Sequence, residues 1–293
     1  MNYTIDSDHL KVTIQKEGAE LCSVISKKSG KEYIWQASPE VWGSHAPNLF
    51  PVIGGLKEGK YRYKGNWYEM PKHGFIRRNE NLTVEEVFND SISFLLHSEE
   101  VIKKIYPFDF QFRIQFSVTE STLTVSHQVI NIGLEDLLFS LGGHPAFNCP
   151  IHENADYEDY HLEFDQEEYA ETHLLDIEKG LVTNETELVL DNSAKLPLHK
   201  NLFDRDALIF KNLKSNSISL VHKNKGKVLS MDISDFPYLG IWAKPGADYI
   251  CIEPWLGIAD SVHHNQNLED KEGIILLPKN QLFSAKYSIE LFE

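Results

Sequence analysis

The chain has 293 residues, of which 42% are hydrophobic, 11% aromatic and 25% charged, the composition of a folded globule and not of a disordered chain. Its 28 basic and 44 acidic residues leave a net charge of −16, with the acidic ones scattered along the chain, and that field argues against nucleic acid or an anionic membrane surface as a partner. Cys22, Cys149 and Cys251 are odd in number, widely spaced and outside any C-x-x-C, which predicts reduced core thiols and neither a disulfide framework nor a zinc knuckle.

The N-terminus, MNYTIDSDHLKVTIQ, has no basic stretch leading into an apolar one, and no window approaches the ~18 apolar residues of a spanning helix. The default expectation is a cytoplasmic protein. From there the dominant period is two. Leu10, Val12 and Ile14 alternate with polar residues, as do Ile92 and Phe94, and Phe110 to Val118 alternates fully. That last run meets Leu123 to Val129 across Thr119–Thr122, which predicts an antiparallel hairpin.

The alternation continues through Tyr160 to Phe164, Ile218 to Leu220, Val228 to Ile233 and Tyr287 to Leu291, with a hairpin turn expected at His222 to Lys227. Only short helical turns are expected, at Ser98 to Ile105 before Tyr106-Pro107 and at Leu256 to His263. Asp165 to Lys200 alternates weakly and reads as loops and short strands over one end of a sheet. With no internal repeat and no linker, the expectation is one all-β domain over 1–293 built of packed antiparallel sheets.

Five stretches carry chemistry. In Asn48 to Leu56, NLFPVIGGL, Asn48 offers both a donor and an acceptor. Met70 to Arg78, MPKHGFIRR, sets His73 beside a glycine, an aromatic ring and the guanidinium groups of Arg77 and Arg78, a cluster suited to a polar ligand. In SLGGHPAFNCP the Gly142-Gly143 pair turns sharply and Pro145 fixes the chain after His144, presenting that imidazole rigidly.

Asp206 opens an apolar strand where it could meet a hydroxyl-rich ligand, although spacing does not choose between it and Asp204. Glu253 ends the apolar run from Tyr249 to Ile252. A carboxylate there is either paired, with Arg77 or a lysine, or poised for proton transfer, which makes it the general-base candidate.

No phosphate-cradling glycine loop, nucleophile elbow or H-E-x-x-H is present. His73, His144 and Glu253 are ligand types that suit zinc or iron, but the chain lacks a close H-x-H pair, so no metal is expected.

The motifs HGFIR at His73 to Arg77, GGHPAFN at Gly142 to Asn148 and CIEPW at Cys251 to Trp255, in this order along an all-β chain, resemble the aldose 1-epimerase family, the galactose mutarotase-like proteins. Among these the chain is most similar to the bacterial LacX-type branch. The resemblance spans nearly the whole sequence. It implies a β-supersandwich and interconversion of the α and β anomers of an aldose without a cofactor.

By the same resemblance the proton-donating histidine falls on His144, the base on Glu253, the substrate-orienting histidine on His73, the motif arginine on Arg77 and a sugar-binding aspartate on Asp206. Acid and base would act on opposite edges of the sugar, with Trp242 or Phe147 covering its apolar face. Gly55 stands where many relatives carry an arginine, which counts against a phosphosugar unless Lys57, Arg62 or Arg78 compensates. A carbohydrate-binding protein without turnover and a hexose-6-phosphate 1-epimerase are the alternatives, and monomer and homodimer are both left open.

Overall fold

The computed structural model describes residues 1–293. Two large antiparallel sheets dominate it. One has nine strands in the order Leu181–Pro197, Tyr160–Asp176, Ser217–His222, Gly226–Asp232, Leu282–Leu291, Thr122–Asn131, Phe110–Thr119, Ser91–His97 and Thr83–Val87. The other runs Leu208–Lys211, Tyr238–Trp242, Tyr249–Leu256, Leu141–Gly143 and Asn48–Leu49, with Ala146–Asn148 also pairing onto Tyr249–Leu256. A three-stranded sheet of Asn2–Asp6, Leu10–Gln15 and Glu20–Ser26 lies at the N-terminus.

Period-two alternation explains how the layers meet. Phe110, Phe112, Ile114, Phe116 and Val118 are buried on one face of the nine-stranded sheet, while the residues between them are half-buried or exposed. Phe112 stacks at 4.3 Å on Phe50, which follows the edge strand of the six-stranded sheet. A Cβ at Gly143 would come within 2.8 Å of the Tyr287 ring, so the sheets approach closely beside His144. Both sheets contribute to one apolar cluster of 68 buried residues.

The predicted hairpins form. Val118 pairs with Leu123 and Val125 with Phe116, and the 222–227 turn joins Ser217–His222 to Gly226–Asp232. The only α-helix is the single turn Glu100–Lys103, and the 256–263 stretch makes only a turn at 262–263, the short 3₁₀ turn lying later at Leu268–Asp270. All three cysteines are free and buried.

Asp165 to Lys200 does not form loops and short strands. Tyr160–Asp176 and Leu181–Pro197 are 17-residue strands of one long hairpin, broken by four register shifts. The bulges change which side chain faces inward, which erases a clean alternation from the sequence. The hairpin tip reaches the loop that follows Tyr249–Leu256, where the Val182 N–H donates to the Asp260 carbonyl at 2.9 Å.

Candidate active site

The strand Tyr249–Leu256 organises the site. Its alternation puts Tyr249, Cys251, Glu253 and Trp255 on one face. Gly142 pairs with Trp255 and Ala146 with Cys251, so an unbroken register across the intervening His144-Pro145 places His144 opposite Glu253. On the other flank Gly240 pairs with Glu253 and Trp242 with Cys251. The sequence thus brings the rigid imidazole and the strand-terminating carboxylate together by register alone.

His144 Nε2 lies 3.2 Å from Glu253 Oε2, and the two residues are 8% and 2% exposed. The expectation of an acid and a base on opposite edges of a sugar is therefore not met, because the two groups touch. Burial pushes the Glu253 carboxyl well above the usual carboxylate range, against the Lys72 and Arg77 charges that pull it down. Burial also pushes the His144 imidazole well below its ordinary value, with Arg77 and Lys72 acting in the same direction.

The HGF segment is docked on the residues after Asn48. His73 and Gly74 both adopt left-handed φ values of 66° and 75°, and a Cβ at Gly74 would come within 2.0 Å of the Phe50 carbonyl. The His73 N–H donates to the Gly54 carbonyl at 2.9 Å, and the Gly54 N–H donates to His73 Nδ1 at 3.1 Å. That second bond fixes the tautomer: Nδ1 accepts, so Nε2 carries the proton. Burial, then the neighbouring His144, Lys72 and Arg77, hold His73 well below its ordinary pKa, so it is a neutral donor.

Arg77 is partly buried and forms no ion pair with Glu253. Its Nη2 donates to Ser44 Oγ at 3.4 Å, while Nε has no partner. Burial lowers its pKa, opposed chiefly by the charge of Glu20.

His73, Arg77, His144, Asp206, Trp242 and Glu253 all line one cavity of about 140 Å³. Asp206, not the exposed Asp204, faces it, held at φ 74° with its Oδ1 accepting from the Ala207 N–H at 2.7 Å. Leu175 and Gly180 from the long hairpin complete one wall. Seven buried side-chain polar atoms in the molecule lack a hydrogen-bond partner, and four belong to cavity residues: Arg77 Nε, His144 Nδ1, Glu253 Oε2 and Trp255 Nε1. Such atoms are rare in folded proteins, and these four gather around one cavity, where a partner from outside the chain could reach them.

Two expectations are corrected. Asn48 does not line the cavity. Its Nδ2 donates to the carbonyls of Gly18 at 3.0 Å and Ala19 at 2.8 Å, and its Oδ1 meets His127 Nε2 at 2.9 Å, so the amide is fully used inside the protein. Phe147 is buried in the core, which leaves Trp242 as the predicted aromatic at the site.

The sequence reading missed Trp42, Lys72 and Trp255, which also line the cavity. Trp42 sits in an irregular segment with no periodic signal. Lys72 was legible as the neighbour of His73, and it lines the cavity where Lys57, Arg62 and Arg78 do not.

As for a metal, His144, Cys251 and Glu253 bring one ligand atom each within 4.8 Å of one another, while His73 Nδ1 is already engaged with Gly54. The donor set is possible for zinc, but burial pushes the Cys251 thiol well up, which opposes the thiolate that binding requires. No helix is long and apolar enough to cross a membrane.

Comparison with known proteins agrees with this geometry. The family described as Aldose 1-epimerase matches residues 1–289. The plasmid-encoded protein LacX of Lactococcus lactis subsp. lactis is 34% identical over 287 residues, covering 92% of this chain and 93% of that protein. A galactose mutarotase related enzyme from Lactobacillus acidophilus superposes with a TM-score of 0.94 at 37% identity, covering 100% of this chain and 98% of the other. A galactose mutarotase-like protein from Lactobacillus casei ATCC 334 gives 0.92 at 28% identity with 100% of each chain covered. The chain belongs to the aldose 1-epimerase family.

Proposed function

We propose that the cavity binds an aldose and that His144 and Glu253 interconvert its anomers by moving two protons, without a cofactor. The observation that carries this reading is the buried His144–Glu253 contact of 3.2 Å in a cavity where unsatisfied polar atoms gather. O1 and the ring oxygen of a pyranose are bonded to the same carbon, so an acid and a base in contact with each other can address both.

Glu253 takes the proton of the O1 hydroxyl while His144 Nε2 gives one to the ring oxygen. The bond between C1 and the ring oxygen breaks and O1 becomes the aldehyde oxygen. Rotation about C1–C2 presents the other face of C1. The ring hydroxyl then attacks, returning its proton to His144 as O1 takes one back from Glu253. Both residues end as they began.

His73 Nε2–H and the Arg77 guanidinium donate to sugar hydroxyls, Asp206 accepts from one, and Trp242 covers an apolar face of the ring. Lys72, which lines the cavity and forms no ion pair, favours a second reading in which the aldose carries a phosphate or carboxylate.

The test is optical rotation of freshly dissolved α-glucose, α-galactose and a panel of phosphosugars. Wild type is expected to exceed the uncatalysed rate on at least one of them, and Glu253→Gln and His144→Asn each to lower kcat by roughly 10²–10⁴-fold. Arg77→Ala is expected to raise KM at least as much as it lowers kcat. Variants at 144 and 253 that match wild type would remove those two residues from the chemistry.

A further inference from the structure

Burial favours the uncharged form of both members of the pair, with the proton on Glu253 and none to spare on His144. That distribution is inverted for the reaction, since a protonated carboxyl cannot take the O1 proton and a neutral imidazole whose Nε2 is unprotonated cannot give one. Nearby charges correct only half of this. Lys72 and Arg77 favour the Glu253 carboxylate, against Asp206, but both oppose an imidazolium at His144, while His73, whose ring sits 5.7 Å away, is neutral and adds no charge. Below the pair Cys251 offers an uncharged thiol.

Two indoles flank the pair. The Trp42 ring lies on the His144 ring, centroids 4.9 Å apart and planes 24° from parallel, so an electron-rich face meets the imidazole. That face is held in place. Trp35 Nε1 donates to the Trp42 carbonyl at 2.9 Å, and Lys244 Nζ donates to the carbonyls of Glu40 at 3.2 Å and Val41 at 3.1 Å.

Trp255 stands two residues beyond Glu253 on the same strand face, and its buried indole N–H, which has no hydrogen-bond partner within the protein, favours the ionised form of that carboxyl. Its ring is wedged between two glycines, because a Cβ at Gly142 would come within 2.8 Å of it and one at Gly240 within 2.5 Å. The N–H cannot swing away.

We propose that Trp42 and Trp255 are positioning residues that place the shared proton of the pair on His144, the π face of Trp42 supporting the imidazolium and the N–H of Trp255 supporting the carboxylate. The proposal rests on the reading of the pair as acid and base.

It has a signature that simple structural support lacks. Moving the proton within the pair does not change the number of protons bound, so losing either indole lowers kcat across the whole pH range. The two limbs of the kcat profile then respond separately. Losing the Trp42 face destabilises the imidazolium, so the singly protonated pair gives up its proton at lower pH and the alkaline limb moves down. Losing the Trp255 N–H destabilises the carboxylate, so the pair takes a second proton at higher pH and the acid limb moves up.

The experiment is the kcat–pH profile of wild type, Trp42→Leu, Trp42→Phe and Trp255→Phe, with ¹⁵N spectra of histidine-labelled unliganded protein, the His144 signals identified by their loss in His144→Asn. We expect an imidazolium at His144 near neutral pH in wild type. Trp42→Leu and Trp255→Phe should each lower kcat roughly tenfold with little change in KM, shift opposite limbs, and Trp42→Phe should recover part of the loss.

A neutral His144 in the wild-type spectrum, or limbs that stay in place or move together, would overturn the proposal. The wild-type spectrum and Trp42→Phe keep the test valid if Trp42→Leu does not fold. If wild type shows no mutarotation at all, the acid–base reading fails, while the spectra still report where the proton sits.

Discussion

Glu253 and Asp260 are seven residues apart, equally buried, and opposite in character. Asp260 is fully partnered: Lys271 Nζ lies 2.9 Å from its Oδ1, the Lys57 N–H donates to its Oδ2 at 2.9 Å, and His264 Nδ1 is 3.3 Å away. Burial alone would raise its pKa, but His264, Lys271 and Lys57 together outweigh that and hold it at about 2. Lys271 in turn donates to the Ile258 carbonyl at 2.6 Å. Glu253 pairs with no lysine or arginine, its one ionisable partner being His144, and burial moves its carboxyl well up. Matched depth with opposite pKa directions separates a carboxylate that holds a loop from one left available for proton transfer.

The sharpest way to break this comparison is to remove charge from each side. Lys271→Met leaves a buried aspartate without its cation and should lower unfolding free energy by about 3–5 kcal/mol in denaturant titrations, while the folded fraction keeps its kcat. Glu253→Gln should do the reverse, losing turnover with melting temperature unchanged or raised, because it removes a group whose charged form is penalised by burial. If both variants lose stability alike, the distinction between the two clusters is wrong.

A smaller effect follows from acid. A carboxyl held at about 2 against an ordinary value of 3.8 contributes stability that is complete above the ordinary value and lost as pH falls from there toward 2. Its share is about 2 kcal/mol. Unfolding free energy measured against pH should therefore steepen in that window for wild type, and Asp260→Asn should flatten it. An unchanged slope would mean that Asp260 is not held by its partners.

Much of the fold was legible because period two is a strong signal where one face is buried. The hairpins around 119–122 and 222–227 needed nothing more. The 160–197 hairpin was not legible, since its register shifts change facing residues several times within 17-residue strands. At the site, His144 and Glu253 stood out because local sequence constrained them, one by glycines and proline and the other by the apolar run before it. Trp42 did not, because its place against His144 depends on a turn held by Trp35 from within the same irregular segment and by Lys244, which is close to it only in space.

Asn48 marks the limit of that legibility. It sits eight residues before Leu56 in a glycine-rich stretch that does reach the cavity at Gly54, and a polar amide there read naturally as a sugar contact. The edge strand Asn48–Leu49 instead turns the amide toward Gly18, Ala19 and His127. His127 is fully buried, burial holds its imidazole down at about 4, and Asn48 Oδ1 is its only hydrogen-bond partner. Asn48→Ala would leave that ring and two backbone carbonyls unsatisfied at once. The expected result is a loss of about 1–2 kcal/mol in stability with KM for the sugar unchanged, read by thermal unfolding and polarimetry on the same preparation. A raised KM at unaltered melting temperature would return Asn48 to the substrate, against the hydrogen bonds that now occupy it.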